Sequence, residues 1–397
     1  MRVLLFWFGC CWFAFAFWHC SRDITAPPPD SSTHEAGSTH DTTAPIQESI
    51  KESSPSEERI QPLEESSVRP EPLVEASPEV IQEPEFTEPT TETKKPLPEQ
   101  PKEEGWKSAF PIVTSCKVPE PASKDQIHLK KDVQYALLDK QRLLLDIAWP
   151  KKAGVYPLVV FIHGGSWRAG NKSSYTTQLT QLSGIGYVAA SLNYRLAKAP
   201  KNIFPAAVQD VRCAIRWLRA NAKTYSIDAK RVVAIGFSAG AHLTAMLGTS
   251  DTAKGLDHPG CPVPKPLPSV RLQGAIPVSG VYDLLLAAVP GQKPDPDVIN
   301  FLGGIPSKIP KTAKLASPLY HLDPKDPPFL LFHGTADKRI PVAAARWFKI
   351  GLDGVSVPNT YVELPGYPHG YPMLSRQAKY QHISCTILHF LKTILRP

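Results

Sequence analysis

The run Arg231-Val232-Val233-Ala234-Ile235 ends in Gly236-Phe237-Ser238-Ala239-Gly240, and helix formers follow at once from Ala241 to Leu247. Few sequences turn a buried strand into a helix so abruptly. The corner residue must accept a strained backbone, and neighbouring segments must crowd against it. Small residues at 236, 239 and 240 permit that crowding. The corner residue here is Ser238. Its hydroxyl is lifted out at the carboxyl edge of a sheet, beside the amino end of a helix, where a developing negative charge is favoured. A G-x-S-x-G string alone is weak evidence; between a strand and a helix it reads as a nucleophile.

A serine hydroxyl attacks only when a base removes its proton. Asp337 closes Phe329 to Ala336, a short apolar strand running into a turn, and His369 follows the strand-like run Asn359 to Leu364. Both should hang from the same sheet edge as Ser238, in the order serine, acid, histidine. His369 would take the proton, and Asp337 would hold the imidazole in the right tautomer. Either residue alone would read as a turn former or a loop residue. A fourth element is the strand Pro157 to Ile162, which empties into His163-Gly164-Gly165-Ser166-Trp167. The N–H of Ala239 is one expected oxyanion donor, and this loop supplies the others, either Gly164 and Gly165 or Gly165 and Ser166. His163 reads as a brace for the loop.

These residues carry a resemblance. From about 130 to 395 the chain resembles the α/β-hydrolase superfamily, in the branch of carboxylesterases and hormone-sensitive-lipase-like enzymes. That branch includes feruloyl and acetyl-xylan esterases and kynurenine formamidases. The match runs through His163 to Trp167, Asn193-Tyr194-Arg195, Phe204 to Asp210, Trp217, the Ser238 elbow, Ala316-Ser317-Pro318, the Asp337 turn and the His369 loop. The resemblance implies the Ser238–His369–Asp337 arrangement and an α/β-hydrolase fold. It does not choose a substrate, because one fold hosts many chemistries.

Composition divides the chain into unlike pieces. Residues 1–20 set Arg2 before an apolar, aromatic run, the pattern of an export signal or short anchor. Ala14-Phe15-Ala16 offers a cleavage site and Cys20 a lipidation site, and an uncleaved anchor is the third alternative. Residues 21–105 hold 14 prolines, 20 acidic and 7 basic side chains with hardly an aromatic, a composition that predicts a disordered, extended linker. Residues 106–397 are the expected catalytic domain, with 36 basic and 17 acidic side chains. Such an excess is equally consistent with attraction to anionic surfaces and with plain solubility. A membrane tether through the N-terminus is expected, with an envelope or secreted location. No nucleic-acid module is recognisable.

Within 106–397, a hairpin over 133–149 precedes strands at 157–162, 186–192, 231–236, 271–279, 329–333 and 359–364. These alternate with helices near 174–183, 205–222, 239–249, 342–352 and 375–395, which predicts a mostly parallel sheet covered on both faces. In the second helix Val208, Val211, Ile215 and Leu218 form the core stripe, with Arg212, Arg216 and Arg219 facing away. The Pro- and Gly-rich stretch 284–312 should form a short cap and leave the site open. Cys213 and Cys385 fall opposite their apolar stripes, which in an exported protein hints at disulfides. Cys213 with Cys261 and Cys116 with Cys385 is the expected pairing, and free thiols are the alternative. His242 reads as packing, His333 as a strand-end residue, Asp323 and Asp326 as turn residues, and Asp210 and Asp283 as loop braces. No phosphate loop, haem motif or metal cluster is recognisable, so no cofactor is expected.

The expected activity is hydrolysis of short-chain carboxylic esters through an acyl-enzyme, with acetyl or feruloyl groups on carbohydrate as the expected case. The rivals are an amidase, formamidase or peptidase of the same fold, and a catalytically inactive binding module.

Overall fold

In the computed structural model, residues 108–286 and 295–396 are described. The expectations for residues 1–20 and 21–105 fall outside them. Eight strands form one sheet: β1 (Ile127–Leu138), β2 (Gln141–Pro150), β3 (Tyr156–Ile162), β4 (Val188–Leu192), β5 (Ile227–Phe237), β6 (Gly274–Val278), β7 (Phe329–Gly334) and β8 (Asn359–Leu364). Their order is β1-β2-β4-β3-β5-β6-β7-β8. β1 pairs antiparallel with β2 and β2 with β4, and every other pairing is parallel. The helices are α1 (Thr176–Gly184), α2 (Ala206–Ala220), α3 (Ala239–Thr249), α4 (Pro296–Leu302), α5 (Pro310–Leu315), α6 (Ala343–Gly354) and α7 (Gln381–Ile394).

The strands explain the layering. In β3, Leu158, Val160 and Ile162 join one buried cluster, while Val159 and Phe161 join the other. β5 alternates in the same way through Val232 and Ala234 against Val233 and Ile235, and β7 through Phe329 and Leu331 against Leu330 and Phe332. A strand that is apolar on both faces needs cover on both. Side chains of α2, α3 and α6 cover one face, and those of α1 and α7 the other. Burying each large apolar side chain stabilises by roughly 1.5–3 kcal/mol, so the central strands dominate the core.

The chain leaves β3 to build β4 on one side, then crosses back to place β5 on the other. The order of strands reverses between β3 and β5. At such a switch point the following loops diverge and leave a crevice beyond the carboxyl ends, where α/β sheets bind ligands.

One expectation needs correction. Arg212 and Arg216 do not face away from the protein; they are 1% and 7% exposed. Arg212 Nε bonds Asp257 Oδ1 at 2.7 Å, and its Nη1 donates to the Ser250 carbonyl at 2.6 Å. Arg216 donates to Asp257 Oδ2 at 3.0 Å and to the Pro268 carbonyl at 2.8 Å. The connection between α3 and β6 folds over the outer side of α2, and Cys213–Cys261 ties it there. Burial would raise the Asp257 carboxyl, but the two guanidiniums outweigh it and bring it down to about 2. Among its described residues the stretch 284–312, expected as a short cap, holds α4 of 7 residues and leads into α5 of 6. They are too short to display a helical period.

The other disulfide, Cys116–Cys385, completes the expected pairing. It fastens a strap that crosses the sheet's α1–α7 face. Ala109 N–H bonds the Asn359 carbonyl on β8 at 2.9 Å. Phe110 N–H bonds Thr360 Oγ1 at 2.8 Å, and its ring meets Phe390 of α7 at 4.9 Å. Farther along, Ala122 N–H reaches the Thr180 carbonyl of α1 at 3.3 Å, after which the chain enters β1 at the opposite edge.

Candidate active site

Ser238 occupies the single step between β5 and α3, with φ 56° and ψ −121°. That conformation is strained for a residue with a Cβ, so its surroundings must hold it. They do so by close approach. A Cβ at Gly236 would lie 2.1 Å from the Gly240 carbonyl oxygen, and one at Gly240 would lie 2.0 Å from that of Ile162. The Ser238 N–H bonds the Val278 carbonyl of β6 at 2.9 Å, which pins the corner from the other side.

His369 and Asp337 come to this corner from the ends of β8 and β7, adjacent strands whose last register pair is Gly334 with Leu364. His369 Nε2 stands 3.0 Å from Ser238 Oγ, in place to accept its proton. On the other side of the ring, Nδ1–H donates to Asp337 Oδ2 over 2.7 Å. Asp337 is in turn held by its own turn, where Oδ1 accepts from the N–H groups of Arg339 at 2.8 Å and Ile340 at 2.9 Å. His333 Nε2 lies 3.3 Å from Asp337 Oδ2. Burial would raise the Asp337 carboxyl, yet the hydrogen bonds from His333, His369 and Ile340 outweigh it and hold it well below the usual carboxylate range. The group is therefore an anion, as an imidazolium stabiliser must be.

The loop after β3 lies beside the elbow. Gly165 has φ 113°, and Ser166 and Trp167 follow with φ 52° and 57°. Three successive residues of positive φ turn the chain sharply here. Among the described residues, the N–H groups of Gly164, Gly165, Ser166 and Ala239 donate to no protein acceptor. Gly164 also packs closely on the elbow, where a Cβ would lie 2.8 Å from the Phe237 carbonyl oxygen. His163 is buried and lowered by that burial; its ring stacks on Tyr194 at 4.4 Å, and Tyr194 OH donates to the His163 carbonyl at 3.0 Å. Tyr194 thus props the loop. Arg195 beside it is locked to Asp210, with Nη2 to Oδ1 at 2.7 Å, so both are structural.

A cavity of about 540 Å³ opens at Ser238. Ser166, Trp167 and Ala239 form one wall, while Tyr282, Trp347 and Phe348 are among those forming an aromatic one. Asp283, Asp295 and Arg339 line it as well. A larger recess of about 850 Å³ runs along Cys116–Cys385 and shares no lining residue with this one. Volume alone would choose the larger; the chemistry chooses the smaller.

Residues 145–352, more than half of the chain, match a single known family. The chain belongs to the BD-FAE family. It is an α/β-hydrolase of the carboxylesterase branch. This BD-FAE chain is similar to a probable carboxylic ester hydrolase, LipM, of Mycobacterium tuberculosis, at 31% identity over 61% of this chain and 55% of LipM. The esterase LipC of the same organism is 31% identical over 59% of each chain. The chain thus spans little more than half the length of these curated relatives. Among solved structures, a thermophilic esterase of Thermogutta terrifontis with bound propionate is 26% identical, with a TM-score of 0.57, over 70% of this chain and 98% of that one. A truncated carbohydrate esterase from gut microbiota is also 26% identical, with a TM-score of 0.57, over 68% of this chain and 99% of that one.

In the BD-FAE chain, Arg339, Asp295 and Asp297 carry weight that no local pattern announces. Arg339 Nη1 bonds Asp295 Oδ2 at 2.9 Å and its Nη2 also reaches Asp297, while Arg168 Nε bonds Asp297 Oδ1 at 2.6 Å. The carboxylates at the start of α4 thus link the loop after β3 to the turn of Asp337. Asp283, by contrast, braces its own loop, accepting from the N–H groups of Leu285 at 2.9 Å and Leu286 at 3.0 Å.

Proposed function

We propose that this chain is a serine hydrolase that cleaves carboxylic esters through an acyl-enzyme. The observation that carries the reading is the chain of hydrogen bonds from Ser238 Oγ through His369 to Asp337, at 3.0 and 2.7 Å, beside a cavity. Ser238 Oγ attacks the ester carbonyl as its proton passes to His369 Nε2, and Asp337 stabilises the imidazolium. Ala239, Gly165 and Ser166 offer N–H groups to the oxyanion, whose charge exists only once the tetrahedral species forms. His369 then returns the proton to the leaving alkoxide, and water repeats the sequence to release the acid. The Thermogutta terrifontis esterase phosphonylated by sarin supports the covalent step, since such reagents capture activated nucleophiles.

The cavity extends the reading to the substrate. Its volume, about 540 Å³, lies within the roughly 300–1,000 Å³ range of small-molecule pockets. An acetyl group would leave most of it empty. One arm of the ester is therefore larger and mainly apolar, aliphatic or aromatic, and the gut-microbial carbohydrate esterase supports a sugar as the other arm. Two disulfides support work in an oxidising compartment, in keeping with an exported protein. The test is Ser238→Ala together with paraoxon. The variant should lose about three or more orders of magnitude in kcat on p-nitrophenyl butyrate without loss of fold. Paraoxon should add one diethylphosphoryl group, on Ser238, to the unaltered protein alone. Wild-type turnover by the variant refutes the proposal.

A further inference from the structure

Accepting Ser238 as the nucleophile, we propose that His242 is a positioning residue that fixes Trp167, and with it the oxyanion loop, to the nucleophile's helix. His242 lies one turn into α3, where its backbone N–H bonds the Ser238 carbonyl at 3.1 Å. Its ring, fully buried, spans two groups of fixed polarity. Trp167 Nε1–H can only donate, and it meets His242 Nδ1 at 3.1 Å. The Ala316 carbonyl can only accept, and it meets Nε2 at 2.7 Å. Only the neutral imidazole with its proton on Nε2 satisfies both. Burial enforces that state, lowering the ring to about 4 against the opposing pull of the Ala316 bond.

What this bond helps to hold is a strained segment of the loop, where the Trp167 carbonyl also accepts the Ala197 N–H at 2.8 Å. Ser166 and Trp167 both have positive φ, which costs of order 1–3 kcal/mol each unless the surroundings impose it. The Trp167 indole is 4% exposed, stacks on Phe301 of α4 at 4.4 Å and meets the His242 ring edge-on at 5.2 Å. Stacking fixes the plane of the indole but lets it slide; the hydrogen bond sets where along that plane it stops. The loop is thus referenced to α3 directly, and not only through β3 and β5. Oxyanion donors act within a narrow range of about 2.7–3.1 Å, so a small slip of the loop weakens the tetrahedral species more than the bound ester. Loss of the anchor should therefore appear in kcat rather than KM.

Two amide substitutions separate the two bonds. The side chain of His242→Asn reaches the Nδ1 position and accepts from the indole. That of His242→Gln reaches the Nε2 position, keeps the Ala316 bond and leaves the indole N–H without an acceptor. On p-nitrophenyl butyrate, His242→Gln should lose about 10- to 100-fold in kcat, less than the roughly 10²–10³-fold that one lost oxyanion donor costs, with KM within about threefold. His242→Asn should stay within about threefold in kcat. Trp167→Phe keeps a stacked ring but removes the donor and part of the cavity wall; its loss in kcat should match that of His242→Gln, and the double variant should lose no more in kcat than either alone. In ¹⁵N spectra of the wild type, His242 should carry its proton on Nε2 whether or not the enzyme turns over. Equal losses in Asn and Gln variants, a loss confined to KM, additive losses, or a proton on Nδ1 would overturn the proposal. Ser238→Ala, assayed alongside, reports separately on the site: if it keeps full turnover, the assignment of the nucleophile falls.

Discussion

Replacing Asp337 by asparagine isolates one oxygen. In the native turn Oδ1 accepts two backbone N–H groups, whereas Oδ2 faces two imidazoles, His369 Nδ1 and, farther off, His333 Nε2, which unlike amides can shift their protons. An amide cannot serve both sides as the carboxylate does. If its NH₂ faces the turn, it meets the donors of Arg339 and Ile340, and two hydrogen bonds become repulsions. The turn therefore keeps the amide oxygen, and the NH₂ is directed at His369. Nδ1 must then accept, the ring proton moves to Nε2, and Nε2 can no longer take the proton of Ser238. The geometry survives while the tautomer is wrong. The expected loss in kcat is about 10⁴-fold, or about 5.5 kcal/mol of transition-state stabilisation. The assay is steady-state hydrolysis of p-nitrophenyl butyrate near neutral pH, with thermal melts to verify the fold. Asp323→Asn and Asp326→Asn serve as controls; those turn carboxylates pair with their own backbone, as in the Asp323 N–H to Asp326 Oδ2 bond at 2.9 Å. A loss below tenfold in Asp337→Asn, or equal losses in all three variants, would refute the assignment of His369's partner.

Ala344→Phe on α6 places a ring in the cavity beside Trp347. It should lower kcat/KM for butyrate and longer acyl esters at least tenfold relative to acetate, and a uniform loss across chain lengths would show that the cavity does not receive the acyl arm. Asp257→Ala strips a buried guanidinium pair of its counter-charge and should destabilise by about 2–3 kcal/mol in urea unfolding with little change in kcat. Solvent reaches that carboxylate, whose side chain is 34% exposed, so the loss should fall short of a fully buried pair's.

Sheet and site were legible because their signals are local. A strand apolar on both faces, followed within a few residues by a loop bearing serine, acid or histidine, is visible in any window of a dozen residues. That the three side chains converge follows from parallel strands sharing one edge. The charge pattern of α2 misled because amphipathicity assumes that solvent lies opposite the core. Here the connection from 250 to 273 lies opposite, and its Asp257 is 45 residues from Arg212 in sequence. His242 read as packing for the same reason. Its donor and acceptor are 75 and 74 residues away, and neither leaves a periodic trace. The disulfides were readable because an odd position on a helix was itself the signal.

The strap of residues 108–126 decides how the domain bears mechanical load. A pull on residue 108 is resisted first by the Asn359 and Thr360 bonds at β8, and then by the covalent link from Cys116 to α7. Tension therefore enters through a helix seated on the core and stops there. It never reaches β1, the edge strand at the far side, where ladder bonds could open in succession like a zipper. If the N-terminus is held to a surface, a pull on it meets the domain at α7 and at the amino end of β8, the end away from Ser238 and His369. Reduction of Cys116–Cys385 would remove that shunt and open a peeling path toward the hairpin.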